Sequence, residues 1–414
     1  MSSFRSKAFA VRLLAAAALA APVVLPATQP AIAQQRSLSL VRDAEIEALV
    51  ADYARSILEA AGLGRSGIEI VLVNENSFNA FVAGRRIFIN TGALVAAQTP
   101  NEIIGVLAHE AGHIAGGHQQ RLREQLARAQ TMAIIAAIAG VGTTLGGALT
   151  GADGLAQSGV GVMSGGMEAA RRSLLSYQRG EEAIADRSAI TYLERTGQSA
   201  RGMLTTFERM ASSLSLSGAR VDPYQISHPM PRERIANLET LARGSRYFDR
   251  KDPPALQQRH DLMRAKIAAY TQGHSAAVRL FRDNPRSLAA LYADAIGTFL
   301  SGNSRAALGK IDALVRANPG NAYFHEMRGE ILMRANRPRE AADAFATAMR
   351  HDPSRSGLIQ IGRGQALLAA GNREQAISEL QAGLSRAKDY SAGYRYLAQA
   401  YAQRLRQRAA QHRA

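Results

Sequence analysis

The chain has 414 residues, 47% of them hydrophobic and 20% charged, which suits two or three globular domains and excludes a disordered chain. It contains no Cys, which excludes disulfides, thiolate metal sites, iron–sulfur clusters and thiol nucleophiles together. The 50 Lys and Arg exceed the 34 Asp and Glu, giving a formal net charge of +16. Only five of the basic residues are Lys and the Arg are scattered, so no nucleic-acid partner is expected. The acid-free tail at 406–414, with Arg404 just before it, reads as a solvated end.

Arg5, Lys7 and Arg12 precede an uncharged apolar stretch from Leu13 to Leu25, and Ala31-Ile32-Ala33 follows as a small-x-small signature. This is the pattern of a secretory signal peptide over 1–33, cleaved before Gln34. Pro22, Pro26 and the short apolar run argue against an uncleaved anchor. The expected working compartment is therefore outside the cytoplasm.

Val41 to Ala61 reads as an amphipathic helix that ends near Gly62 and Gly64. Ile68 to Val73 reads as a strand, and Phe78 to Val82 with Arg86 to Asn90 as a strand pair around Gly84. A helix begins at Ala93, and another runs from Asn101 to His118, weakened by Gly116-Gly117. Residues 129–167 hold a single charge, Asp153, and are rich in glycine. A flap or helical hairpin beside an active site is expected there, with peripheral membrane contact as an alternative. Ser173 to Thr196 is helical again, and His228-Pro229 lies in a loop before a helix from Arg232. Asp249 to Pro254 marks a boundary between a domain at 34–250 and a second at 255–405.

The second domain repeats. Asn284-Pro285, Asn318-Pro319 and Asp352-Pro353 are spaced by 34 residues, and Gly329, Ala341, Phe345 and Ala348 recur in neighbouring units as small or apolar positions. That period and pattern match tetratricopeptide repeats, helix pairs stacked into an all-α solenoid.

The sharpest feature is His109-Glu110-Ala111-Gly112-His113. Residues four apart on a helix project about 40° apart, so both imidazoles can face one metal ion, and Glu110, turned about 100° away, can act on water. The neighbouring Ile103, Ile104 and Leu107 mark a buried helix, where two His and a Glu are costly without a metal. A further ligand is needed. Gln119 stands where a third His could follow, and His118 comes one residue early. On a continuous helix it would lie about 180° from His109, so it reads as a non-ligand. Glu181 or Glu182 can supply a carboxylate from a second helix, with Asp186 placed to orient a ligand histidine.

His109 to His113, followed by Arg179-x-x-Glu182-x-x-Ala185-Asp186, resembles the metallopeptidases that include HtpX and the CAAX prenyl protease. Asn79-Ala80-Phe81, the Asn90-Thr91-Gly92 segment and His228-Pro229 with Arg234-Ile235 look like further segments of that family, although Ala93 stands where Leu is usual. The resemblance implies an α+β zincin-like (gluzincin) domain with a small sheet. It selects Glu182 over Glu181 and implies one Zn2+ on His109, His113 and Glu182, with Glu110 as general base. His228 is expected to stabilise an oxyanion or to approach and block zinc, and Arg234 to assist the oxyanion. Asn79, Ala80 and Phe81 are expected to pair with an extended substrate. With the leader and the repeats, the whole chain is similar to the periplasmic beta-barrel assembly-enhancing protease group. This implies misassembled outer-membrane proteins as substrates and the barrel-assembly machinery as a partner. A chaperone or adaptor with a gated peptidase site is the alternative.

Overall fold

The computed structural model describes residues 38–150, 153–217, 228–229 and 232–411. The expected leader lies outside them. The described residues from Ser39 onward form one compact unit. Its architecture is mostly helical with one four-stranded mixed sheet, followed by helical repeats.

The sheet has the order β1 (Leu40–Val41), β2 (Glu69–Val73), β4 (Arg86–Asn90), β3 (Ala80–Ala83). β2 and β4 run parallel, whereas β3 pairs antiparallel with β4 and is an edge strand of the sheet among the described residues. Helix α1 (Ala44–Ala60) starts on a capping Asp43 and buries Leu49, Val50, Tyr53 and Ile57. After β4 the chain enters the short α2 (Thr91–Ala96), whose Thr91 hydroxyl donates to the Glu75 carbonyl. A Cβ on Gly92 would stand 2.1 Å from the Asn76 carbonyl oxygen, which explains the Thr-Gly pair.

Helix α3 (Pro100–Ala115) carries the His109–His113 segment, with every residue from Pro100 to His113 buried. It enters the core because its glycines admit close neighbours. A Cβ on Gly105 would meet Met203 at 2.7 Å, and one on Gly112 would meet the Ala185 carbonyl oxygen at 3.0 Å. The chain does not continue as one helix to His118, as the sequence suggested. Gly117 takes φ +65°, α3 stops at Ala115, and a new helix, α4 (His118–Thr150), begins at once.

Helix α4 and the following α5 (Asp153–Arg195) pack along each other, and the 129–167 segment lies on them. Met132, Ile134, Ile135, Ile138 and Val141 are exposed on this pair. No helix among the described residues is long and apolar enough to cross a membrane. α6 (Arg201–Ser217) and α7 (Arg232–Arg243) complete the first domain.

Pro254 begins α8 (Pro254–Gln272), as the sequence boundary implied, but the core does not stop there. Leu262, Met263 and Ile267 share one apolar cluster with Leu49 and Ile103 on one side and Tyr292 and Phe324 on the other. His260 is wholly buried, bonded to the Tyr53 hydroxyl at 2.9 Å and the Ala97 carbonyl at 3.0 Å. α9 (His274–Arg279) then leads into the pairs α10 (Leu288–Leu300) with α11 (Ser304–Ala317), α12 (Ala322–Arg334) with α13 (Pro338–His351) and α14 (Gly357–Ala369) with α15 (Arg373–Arg386). α16 (Ser391–Gln411) closes the row and takes in the start of the basic tail. The small repeat positions permit the pairing: a Cβ on Gly329 would meet the Phe345 ring at 2.8 Å, and one on Gly364 would meet Leu380 at 2.6 Å.

A buried ion cluster also joins the repeats to the first domain. Lys266 on α8 is 2% exposed and lies 2.7 Å from Asp43, 3.5 Å from Glu45 and 3.9 Å from Glu326 on α12. The Tyr292 hydroxyl donates to Glu45. Burial opposes the charge on Lys266, but the surrounding acids outweigh it and hold the ammonium protonated. Truncating one member of such a cluster leaves uncompensated buried charge. Lys266→Met is therefore expected to destabilise the protein by about 3–5 kcal/mol. Lys310→Met, at the more exposed pair with Asp294, should cost under about 1 kcal/mol. Thermal or urea melts of the two variants check this; equal losses would contradict it.

Candidate metal centre

His109 and His113 face the same side of α3, with their Nε2 atoms 3.0 Å apart. Glu182 arrives from α5, its Oε2 3.3 Å from His109 Nε2 and its Oε1 3.3 Å from His113 Nε2. His228 closes the group, its Nδ1 3.3 Å from His109 Nε2 and 3.1 Å from Glu182 Oε1. Each of these four residues offers one ligand atom, and all four atoms lie within 4.8 Å of one another. Donors at the corners of a tetrahedron about 2.0–2.1 Å from a zinc ion stand roughly 3.3 Å apart. The observed spacings fit that geometry.

The protonation pattern fits it too. His109 Nδ1 lies 3.0 Å from Asp186 Oδ1, so its proton belongs on Nδ1 and its Nε2 lone pair faces the cluster. His113 is held through an intermediary. Its Nδ1 lies 2.8 Å from His118 Nδ1, and His118 Nε2 lies 2.8 Å from Glu181. Burial, aided by His113, lowers His118 to about 4, so it stays neutral. A neutral His118 with its proton toward Glu181 accepts from His113 Nδ1 and leaves the Nε2 of His113 free to bind. Arg121 holds Glu181 in turn, 2.8 Å away.

The break at Gly116-Gly117 makes this possible. A continuous helix would carry His118 to the far side. Instead α4 turns back, and a Cβ on Gly116 would overlap the His118 ring at 2.2 Å. The sequence reading kept His118 out of the ligand set but missed its contact with His113. It missed the place of Glu181 as well, and the glycine pair was the signal that could have found both.

Arg234 does not face open space beside a substrate. Its Nε and Nη2 donate to Asp186 at 2.7 and 2.8 Å, Nη1 lies 2.7 Å from Glu182, and Nη1 donates to the Pro229 carbonyl. The expected oxyanion role thus meets a guanidinium already bound to two carboxylates. Against the opposing effect of burial, Arg234 and His109 hold the Asp186 carboxyl below its usual range, and His109, His113 and His228 hold Glu182 well below it.

Glu110 is fully buried, and among the described residues its carboxylate oxygens have no hydrogen-bond partner. His228 Nε2 lies 3.5 Å from its Oε1. Burial pushes its carboxyl up to about 7, offset in part by the imidazoles beside it. A base near the working pH is what proton transfer needs. Phe81 and Val82 on β3 form one wall of the adjoining cleft of about 150 Å³, and Gln119, Tyr177 and Glu181 line the other side. Of the expected substrate residues, Asn79 and Phe81 turn their backbone toward β4, because Asn79 O accepts from Asn90 N and alternate residues follow. The backbone facing away from β4 therefore belongs to Ala80, Val82 and Gly84, of which Ala80 is fully buried.

Residues 41–242 match Peptidase family M48. The chain carries an M48 peptidase domain. It is a metallopeptidase, and the four-residue cluster lies within the matched residues. The beta-barrel assembly-enhancing protease of Escherichia coli (strain K12) is 23% identical over 376 residues, covering 88% of this chain and 74% of its own. A putative beta-barrel assembly-enhancing protease of Vibrio cholerae serotype O1 is 26% identical over 242 residues, covering 58% of this chain and 47% of its own. The metalloprotease YcaL of Escherichia coli (strain K12) is 34% identical over 152 residues, covering 36% of this chain and 53% of its own.

Asp186 orients His109 without joining the M48 cluster. Asp186→Asn is expected to weaken metal binding about 10–100-fold while the chain still folds. Metal competition with a chromophoric chelator measures this, and unchanged affinity would contradict the orienting role.

Proposed function

We propose that the protein is a periplasmic zinc endopeptidase that acts on misfolded or misassembled outer-membrane proteins. His109, His113 and Glu182 hold the zinc, and His228 takes the fourth position at rest. The cluster of four ligand atoms, with spacing suited to a tetrahedral ion, carries this reading. The family and the donor set support zinc, since imidazole and carboxylate without thiolate suit a hydrolytic site. When bound, zinc lowers the pKa of water and polarises the scissile carbonyl.

The chain's own residues do the rest. Glu110 takes a proton from the attacking water and passes it to the leaving amine. Asp186 and the His118–Glu181 pair hold the two ligand imidazoles in one tautomer. Arg234 holds Asp186 and Glu182 in place. β3 offers its outward edge to an extended peptide, which lays the scissile bond across the cleft. His228 must leave the cluster for a substrate carbonyl to enter, and this favours a gated peptidase. The helical repeats supply a surface for substrate or for the barrel-assembly machinery. The names of these relatives support that setting, and the expected leader supports the periplasm. The exposed apolar residues on α4 support peripheral contact with the outer membrane or with apolar clients. A chaperone or adaptor function with rare proteolysis is the second reading, favoured by the same His228 position.

Replacing Glu110 with Gln should keep one zinc per chain and lower casein hydrolysis by at least about 100-fold. Glu182→Ala should lose both zinc and hydrolysis. Metal analysis beside a casein assay distinguishes them. Full hydrolysis by the Glu110 variant would sink the assignment of the base.

A further inference from the structure

The outward edge of β3 is already partly occupied. On that edge the outward groups run Ala80 C=O, Val82 N–H, Val82 C=O, Gly84 N–H. The side chain of Gln119 takes the second pair. Its Nε2 donates to the Val82 carbonyl, and its Oε1 accepts from Gly84 N at 3.0 Å.

A primary amide holds one N–H on the same side as its C=O, so it can donate and accept toward a single strand edge. A trans peptide unit points the two groups opposite ways, and a strand lying parallel to an edge meets it through the N–H and C=O of one residue, the N–H to a carbonyl and the C=O to the amide two residues on. Gln119 makes that pair of contacts from the first turn of α4. Its position is not accidental to the fold. The Gly116-Gly117 break sets the start of α4, and the His118 contacts with His113 and Glu181 pin the same turn. Gln119 also lines the cleft together with Phe81, Val82 and Glu110.

We propose that Gln119 is a specificity-determining residue whose side-chain amide stands in for the N–H and C=O of one substrate residue on the outward edge of β3, so that a bound strand must displace it. The proposal rests on the reading of β3 as the substrate strand. A peptide that reaches no further than Val82 N–H leaves Gln119 in place. A peptide that pairs along the whole strand exchanges Gln119's two hydrogen bonds for its own. The residue thereby selects against long extended segments unless they pair well at every position.

The test uses the full chain, zinc-loaded and carrying Glu110→Gln so that nothing is cleaved. The probe is a fluorescent, lysine-flanked octapeptide of alternating valine and threonine, and its control is the same peptide N-methylated at alternate residues. Binding is read by anisotropy. Gln119→Ala should bind the unmethylated peptide about three- to tenfold more tightly, the scale of one or two hydrogen bonds no longer displaced. Gln119→Glu, which replaces the donor facing Val82 C=O with an acceptor, should shift binding the same way. The methylated peptide should bind weakly to every variant. Unchanged or weaker binding of the unmethylated peptide to both Gln119 variants overturns the proposal, as does equal tightening of both peptides. If the two peptides bind alike to the protein with Gln119 intact and to the variants, the substrate-strand reading itself fails. Thermal melts confirm that the compared proteins are folded.

Discussion

The structure depends on how three carboxylates and three imidazoles are kept at one buried point. Glu110, Glu182 and Asp186 lie against His109, His113 and His228, and each of the six is less than a tenth exposed. Burial of bare charge at that density is unfavourable by many kcal/mol. Arg234 neutralises part of it by bridging Asp186 and Glu182. A divalent cation at the centre of the four ligand atoms neutralises more, and so the folding energy and the chemistry of the site share one origin. The glycines of α3 follow from the same demand, since a helix carrying these groups must be approached closely from two sides to exclude water.

The second organising feature is the turn at Gly116-Gly117. It ends the ligand helix and starts α4, and within four residues it delivers His118 to His113 and Gln119 to β3. The base of the helical hairpin therefore touches both the imidazole that would hold the metal and the strand that would hold a peptide. At the opposite face, Lys266 and its acids tie α1 to α8 and α12, so the repeats are seated on the catalytic domain as a continuation of its core.

Much of this was legible in the sequence because helical spacing is rigid. A spacing of four from His109 to His113, and of four from Glu182 to Asp186, places side chains on one face whatever surrounds them. The 34-residue period announced the repeats, and Gly329 and Gly364 stand where one helix meets the side chains of the next. What escaped depended on long-range contact or on a break in periodicity. Treating α3 as continuous sent His118 to the wrong side. Arg234 was assigned to an oxyanion because nothing local shows that Asp186 lies opposite it. Gln119 counted only as a missing ligand, since the strand it caps is some 35 residues earlier in the chain. The continuity of the core across Pro254 was hidden for the same reason.

The central claim is that His109, His113, Glu182 and His228 together form one metal site. Zinc-edge X-ray absorption on the zinc-loaded full chain tests it most directly. The account predicts a four-coordinate shell of nitrogen and oxygen with three imidazoles, falling to two imidazoles in His228→Ala with zinc still bound. A shell that His228→Ala leaves unchanged, or one with fewer than two imidazoles in the intact chain, would contradict it.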